Sequence, residues 1–111
     1  MINQFDIFIT NISWKNGRKN RPVLVLFFKE TNILVYPIST KYDNKSKAIQ
    51  KQYFKINDWN QAGLAKQSYI DTGIILKLPL SVIKNKKPIG YLTLTDKQRF
   101  LAFLKEKNQK T

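Results

Sequence analysis

Neither cysteine nor histidine occurs in the 111 residues. The first absence excludes a disulfide framework, a thiolate nucleophile and cysteine-based zinc or iron-sulfur sites; the second removes the commonest metal ligand and the commonest general base. Carboxylates are scarce as well. The seven Asp and Glu are scattered singly, and none has the close spacing of a two-carboxylate hydrolase or a divalent metal site. Long hydrophobic runs are missing: Val23 to Phe28 is far shorter than the roughly 20 residues that span a bilayer, and no basic segment precedes a long apolar stretch near residue 1. The expectation is a soluble, cytoplasmic protein that contacts no membrane. Neither a P-loop nor a G-x-G-x-x-G occurs.

What the chain does have is positive charge. Twenty Lys and Arg against seven acids give a net charge of +13. All but three of the cations are lysine, and asparagine and isoleucine are also abundant, a bias that AT-rich coding produces without selection for binding. Only Arg18, Arg21 and Arg99 escape that objection. Even so, +13 on 13.0 kDa concentrates polyanions or an acidic protein at the surface. A hydrophobic content of 42% with 13% aromatics suffices for one core, and residues 1–111 read as one domain without internal repeats or a dividing linker.

The pattern is that of short strands. Residues 6–12 alternate as a half-buried strand, and a polar loop follows over 13–20. Val23 to Phe28, a turn at Glu30-Thr31-Asn32 and Ile33 to Ile38 read as a hairpin of two buried strands. Residues 39–51, with Lys41, Lys45, Lys47 and Lys51, form a second polar loop, expected to be mobile. Further strands are expected at 52–56, at 68–70 paired with 73–78, where Pro79 ends the second, and at 89–93. Thr95 and Gln98 form a capping box, and Phe100, Leu101, Phe103 and Leu104 make the apolar stripe of a terminal helix. The fold class expected is mainly β: a small β-barrel with a C-terminal α-helix.

Without His or Cys, acid-base work falls to Asp, Glu, Lys or Tyr, with Arg as an electrostatic stabiliser. The hairpin brings its outer ends together, so Arg21 is expected near Ser39 and Thr40. That juxtaposes a guanidinium and hydroxyls. The plainer alternative is that Arg21 pairs with a carboxylate or caps the barrel rim while Ser39 and Thr40 begin a turn.

Gly17 to Leu26, ending Arg21-Pro22-Val23-Leu24-Val25-Leu26, resembles the RPVLVL signature of the MazF/PemK family of toxin endoribonucleases. Four further stretches resemble that family's motifs in its order: Asp6-Ile7, Tyr36-Pro37-Ile38-Ser39-Thr40, Ala62-Gly63-Leu64-Ala65-Lys66-Gln67-Ser68-Tyr69 and Ile89-Gly90-Tyr91-Leu92. The similarity covers about residues 5–105. It implies an SH3-like β-barrel that forms a homodimer, cleaves single-stranded RNA without a metal ion or other cofactor, and is neutralised by an acidic antitoxin protein. The family's catalytic arginine maps to Arg21 and its catalytic threonine to Ser39, because the family's P-I-T-S is P-I-S-T here. Strand alternation makes the exchange matter. Either Ser39 acts with one methyl fewer, or a bulge lets Thr40 reach, or activity is weakened.

Cleavage by attack of the substrate's own 2′-hydroxyl explains how a chain without His or Cys serves as a nuclease. The protein positions the strand, and an arginine fork stabilises the extra charge of the pentacovalent phosphorane. Single-stranded bases are read by stacking and edge hydrogen bonds. The RNA-binding candidates are Trp14, Lys15, Arg18 and Lys19 on the first loop, Lys41, Tyr42 and Lys45 on the second, and Lys66, Gln67 and Ser68, which support the groove. Trp14 reads equally as a plug beneath its loop, each lysine as a solvated charge, and Trp59 as core packing. The alternative from another class is a non-catalytic basic SH3-like barrel that binds nucleic acid or an acidic protein partner.

Overall fold

The structure, a computed structural model, describes residues 2–14 and 17–109, excluding the side chains of Trp14 and Gln109. Its elements are β1 (Asp6–Trp14), β2 (Gly17–Lys29), β3 (Asn32–Ser39), α1 (Lys47–Gln50), β4 (Tyr53–Ile56), β5 (Ser68–Asp71), β6 (Leu76–Pro79), a 3-10 turn at Leu80–Val82, β7 (Gly90–Tyr91) and α2 (Leu94–Gln109). The strands form one antiparallel sheet in the order β4-β5-β3-β2-β1-β7, with β6 also paired to β3. It curls into a half-barrel with α2 against it.

The central strands are apolar on both faces because both faces are covered. Ile7, Leu24, Tyr36, Ile38, Phe54 and Ile70 pack into one core, and their neighbours Phe8, Val23, Val25, Ile33 and Val35 into a second, closed by Ile83. This double burial turns Val23 to Leu26 into an unbroken apolar run. Phe100 of α2 plugs the first core, meeting Phe5, Tyr36 and Phe54 edge-on with ring centroids 6.0, 6.0 and 5.1 Å apart. The β2–β3 register shifts between Val25 and Phe27, and an extra residue there bends the strand and tightens the curl.

Several boundaries differ from the sequence expectation. The polar stretch 13–20 is largely strand: Ile12 pairs with Lys19, Ser13 with Arg18 and Trp14 with Gly17. Ile12 still packs on the second core, but residues 17–20 opposite this end of β1 are exposed, so no period-2 apolar signal marks the β2 side of the arm. Lys15 and Asn16 lie outside the described residues. Within 39–51 a single helical turn, α1, is capped by Ser46, whose Oγ accepts from the Ile49 amide at 3.3 Å. The expected pairing of 68–70 with 73–78 does not occur; β5 pairs with β3 and β4, and β6 pairs separately with β3. Pro79 is the last residue of β6, where a strand paired on one side tolerates the missing N–H. The last strand is only Gly90–Tyr91. Leu101 is half exposed, so the buried stripe of α2 is narrower than its apolar residues suggest.

The helix begins two residues before the expected box. Thr93 Oγ1 accepts from the Asp96 amide at 3.3 Å, giving the same three-residue spacing at Thr93 and Asp96. Asp58 selects it: its carboxylate accepts from the Thr93 hydroxyl at 2.6 Å, and its own amide donates to Asp96 Oδ2 at 2.7 Å. Asp96, fully buried, is paired with Arg99 at 2.6 Å, and Arg99 lies 4.8 Å over the Phe54 ring. One of the three arginines is therefore structural.

Two glycines in the sequence motifs meet each other. A Cβ on Gly63, whose φ is +87°, falls 2.1 Å from the Ile89 carbonyl oxygen, and one on Gly90 falls 2.1 Å from that of Ala62. The backbones of 62–63 and 89–90 are packed directly together, which no residue with a side chain permits. Gly63→Ala should therefore destabilise by about 2–4 kcal/mol through left-handed strain plus the steric clash, and Gly90→Ala by about 1–3 kcal/mol through the clash alone. Urea unfolding with unchanged m-value checks both.

Candidate functional site

Val23 is buried in the second core, and two residues earlier along β2 the same face carries Arg21, half-buried at the end of that core. Val23 lies opposite Pro37, and carrying that register two residues on brings Arg21 level with Ser39. On its other side Arg21 faces Thr10, which is buried. Pro22 restricts Arg21 to extended backbone and anchors the side chain's root.

Arg21 and Ser39 line two adjoining cavities. One, of about 150 Å³, also takes in Lys19, Thr40, Lys41 and Ser68. The other, of about 390 Å³, is walled by Ile12, Pro37, Tyr53, Asp71, Ile74 and Leu76. Ser39 Oγ accepts from the Lys41 amide at 3.1 Å and retains its own proton as a donor. Thr40, one residue past β3, is exposed; it lines the smaller cavity and a third of about 320 Å³ with Tyr42, Asp43, Lys66, Gln67 and Tyr69.

The RNA-binding candidates separate on this geometry. Lys19 and Lys41 join Arg21 at the smaller cavity, while Lys66 and Tyr42 border the third. Lys45 donates its amide to the Tyr42 carbonyl at 3.0 Å, closing a turn beside that ring. Arg18, opposite Ser13 and one residue out of step with Lys19 and Arg21, is on the other face of the arm. Gln67 donates its amide to the Ile56 and Ser68 carbonyls at 2.9 and 3.1 Å, and the buried Ser68 hydroxyl donates to the Lys66 carbonyl at 2.8 Å. These two tie the 57–67 connection to the sheet. Trp14 ends β1, and its side chain, like Lys15, lies outside the described residues. Trp59 packs on the first core, as expected.

Tyr53 and Asp71 were not singled out from the sequence, and Tyr69 only as the last residue of the motif that begins at Ala62. Alternation in Tyr53-Phe54-Lys55-Ile56 and Ser68-Tyr69-Ile70-Asp71 marks Tyr53, Tyr69 and Asp71 as outward-facing, but only the β3–β5 register carries them to Ser39. Burial raises the Tyr53 phenol above its usual pKa of 10.0, the Asp71 carboxylate adds to the rise, and the Arg21 guanidinium opposes it. Tyr69 is raised too, by burial first and then by Asp43 and Tyr42. Asp71 Oδ1 accepts from the Gly73 amide at 2.9 Å. At the centre, a guanidinium and two hydroxyl side chains with lysines around them supply the donors that a tetrahedral oxyanion takes.

Solved structures share this backbone path. The chain is similar to the Mycobacterium tuberculosis toxin MazF-mt6, with a TM-score of 0.62, 22% sequence identity, and coverage of 84% of this chain and 85% of that one. The fold is MazF-like. No protein-family model and no curated protein matches the chain. In the MazF-like fold of this chain the hairpin of β2 and β3 is the element that carries both Arg21 and Ser39.

A phenol with a raised folded pKa contributes stability that is complete below its unfolded pKa and is lost as pH rises through the folded one. Tyrosinate absorbance of the wild type minus that of Tyr53→Phe should therefore give a midpoint above 10, and the wild type should lose stability relative to Tyr53→Phe as pH rises from about 10 through that midpoint, with no further loss above it.

Proposed function

We propose that the protein is the toxin of a type II toxin-antitoxin system, a cytoplasmic, metal-independent endoribonuclease that cleaves single-stranded RNA. The observation that carries this reading is the meeting of Arg21 and Ser39 on one cavity wall. A phosphodiester seated there receives the guanidinium fork on two oxygens and the Ser39 proton on one. The adjacent 2′-hydroxyl attacks phosphorus, the bond to the 5′-oxygen breaks, and a 2′,3′-cyclic phosphate and a 5′-hydroxyl result. The phosphorane carries more negative charge than the diester, so donors fixed in advance stabilise it more than the ground state. Ser39 is the assisting hydroxyl, because strand alternation sets it on the face of Arg21. Thr40 borders the phosphate from beyond the strand end, and Lys19 and Lys41 draw the neighbouring phosphates.

The toxin MazF-mt6 shares the fold, which supports the toxin reading. Exposed Tyr91, Leu94 and Leu101 run from β7 onto one face of α2 and support a homodimer. The net charge of +13 supports an acidic antitoxin that competes with RNA. A second reading, a basic barrel that binds without cutting, draws on Asp71: its carboxylate lines the same cavity as Arg21 and is a natural structural partner for it.

Arg21→Ala should lower cleavage of single-stranded RNA by about 10² to 10³ at unchanged Tm, and Arg21→Lys should recover little, since a point charge lacks the planar fork. Ser39→Ala should cost more than Thr40→Ala. Wild-type cleavage should persist in chelator and leave cyclic phosphate ends. A folded Arg21→Ala that cuts at the wild-type rate makes the binding module the better reading. Light scattering should give about twice 13.0 kDa, and a monomer persisting at high concentration contradicts the dimer.

A further inference from the structure

Three tyrosines from three separate segments converge outside both cores. Tyr42 lies in the connection after β3, Tyr53 opens β4, and Tyr69 lies in β5. The Tyr42 ring is stacked on Tyr69, with centroids 4.4 Å apart and planes 10° from parallel. Tyr53 is tilted toward both, at 6.2 and 6.4 Å. All three are only partly covered. The ladders fix which surface they share: Tyr53 is opposite Asp71 and Lys55 opposite Tyr69, so Tyr53 and Tyr69 face the same way, and Ser39 is opposite Tyr69, so it faces that way too. The rings thus continue the surface of Ser39 and Arg21. Thr40 borders both the cavity of Arg21 and the cavity of about 320 Å³ at Tyr42 and Tyr69.

Partly exposed aromatic rings cost solvation unless something flat covers them, and here they abut a cationic, hydroxyl-lined cavity. A single nucleic-acid strand alternates the two matching chemistries: phosphates that take cations, and bases that take flat apolar faces. We propose that the Tyr42–Tyr69 stack, edged by Tyr53, is a nucleobase-stacking platform that seats the base next to the phosphate held at Arg21 and Ser39. The inference rests on the reading of that cavity as a phosphate site. Stacking accepts any base, so the platform holds the strand without selecting its sequence; a structural role alone would be to pin the connection of 40–51 to the sheet.

The test compares two short fluorescein-labelled strands of equal length and phosphate number, one of mixed-sequence 2′-O-methyl RNA, which lacks the attacking hydroxyl, and one in which the bases are removed. Anisotropy titration of the full-length protein should give about 10- to 100-fold tighter binding of the strand with bases, the range for stacking one or two bases on aromatic rings. Tyr42→Leu and Tyr69→Leu should each bring that ratio close to one, whereas Tyr69→Phe should keep it. A role confined to pinning the loop moves both strands alike and leaves the ratio unchanged. Equal binding of the two strands by the wild type overturns the platform, as does a ratio undiminished in Tyr42→Leu, which leaves every strand of the sheet intact if Tyr69→Leu does not fold. Cleavage of unmodified RNA is read separately. A wild type that keeps the ratio but does not cut contradicts the nuclease reading alone, and one that cuts with a ratio of one contradicts the platform alone.

Discussion

The site depends on a single feature of the sheet: one edge of β3 is shared by two strands. Its first half, Asn32 to Val35, pairs with β6, and its end, Ile38 and Ser39, pairs with β5. The handover falls at Tyr36 and Pro37. Proline has no N–H for a continuous ladder, and here it sits where the neighbouring strand changes. Because β5 and β6 diverge from that point, a gap opens between them, and the cavity with Tyr53 and Asp71 on one side and Ile74 and Leu76 on the other occupies it.

The other edge of β3 supplies the second half of the arrangement. A hairpin fixes register locally, and in a sheet buried on both faces a slip of one residue would exchange the two cores. The packing that sets Val23 and Val25 into one core and Leu24 into the other therefore also sets Arg21 on the face of Ser39. Stability and site geometry are here the same constraint, since the step that buries Val23 aims Arg21. Asp58, Thr93, Asp96 and Arg99 form an independent lock at the start of α2, leaving the hairpin free of that duty.

The local pairing of β2 with β3 was legible in the sequence, the local pairing expected of 68–70 with 73–78 does not occur, and distant pairing was not legible. The approach of Arg21 to Ser39 follows from an alternating run, a short turn and another run, all within about twenty residues. Tyr53, Tyr69 and Asp71 reach the same surface only through β4 pairing with β5 and β5 with β3, and nothing in their own segments states that register. The arm of β1 and β2 was hidden for a different reason. Its β2 side, residues 17–20, is exposed on both faces and carries no apolar period. The helix start was ambiguous because Thr93 with Asp96 and Thr95 with Gln98 have equal spacing, and the choice is made by Asp58, thirty-five residues earlier in the chain.

The three arginines illustrate why charge alone says little about function. Arg99 is bound to a buried carboxylate and covers Phe54, Arg18 points from the far face of the arm, and Arg21 alone stands at a cavity among hydroxyls. The lysines are spread along the chain, and their joint field draws a polyanion from any direction. Placement of one guanidinium beside a strand-end hydroxyl is what converts that diffuse attraction into a defined position for a phosphate. Tyr53 and Tyr69, whose phenols ordinarily titrate at 10.0 and are only raised from there by burial, are neutral at physiological pH, so these rings extend the face without adding negative charge that would oppose the same phosphate.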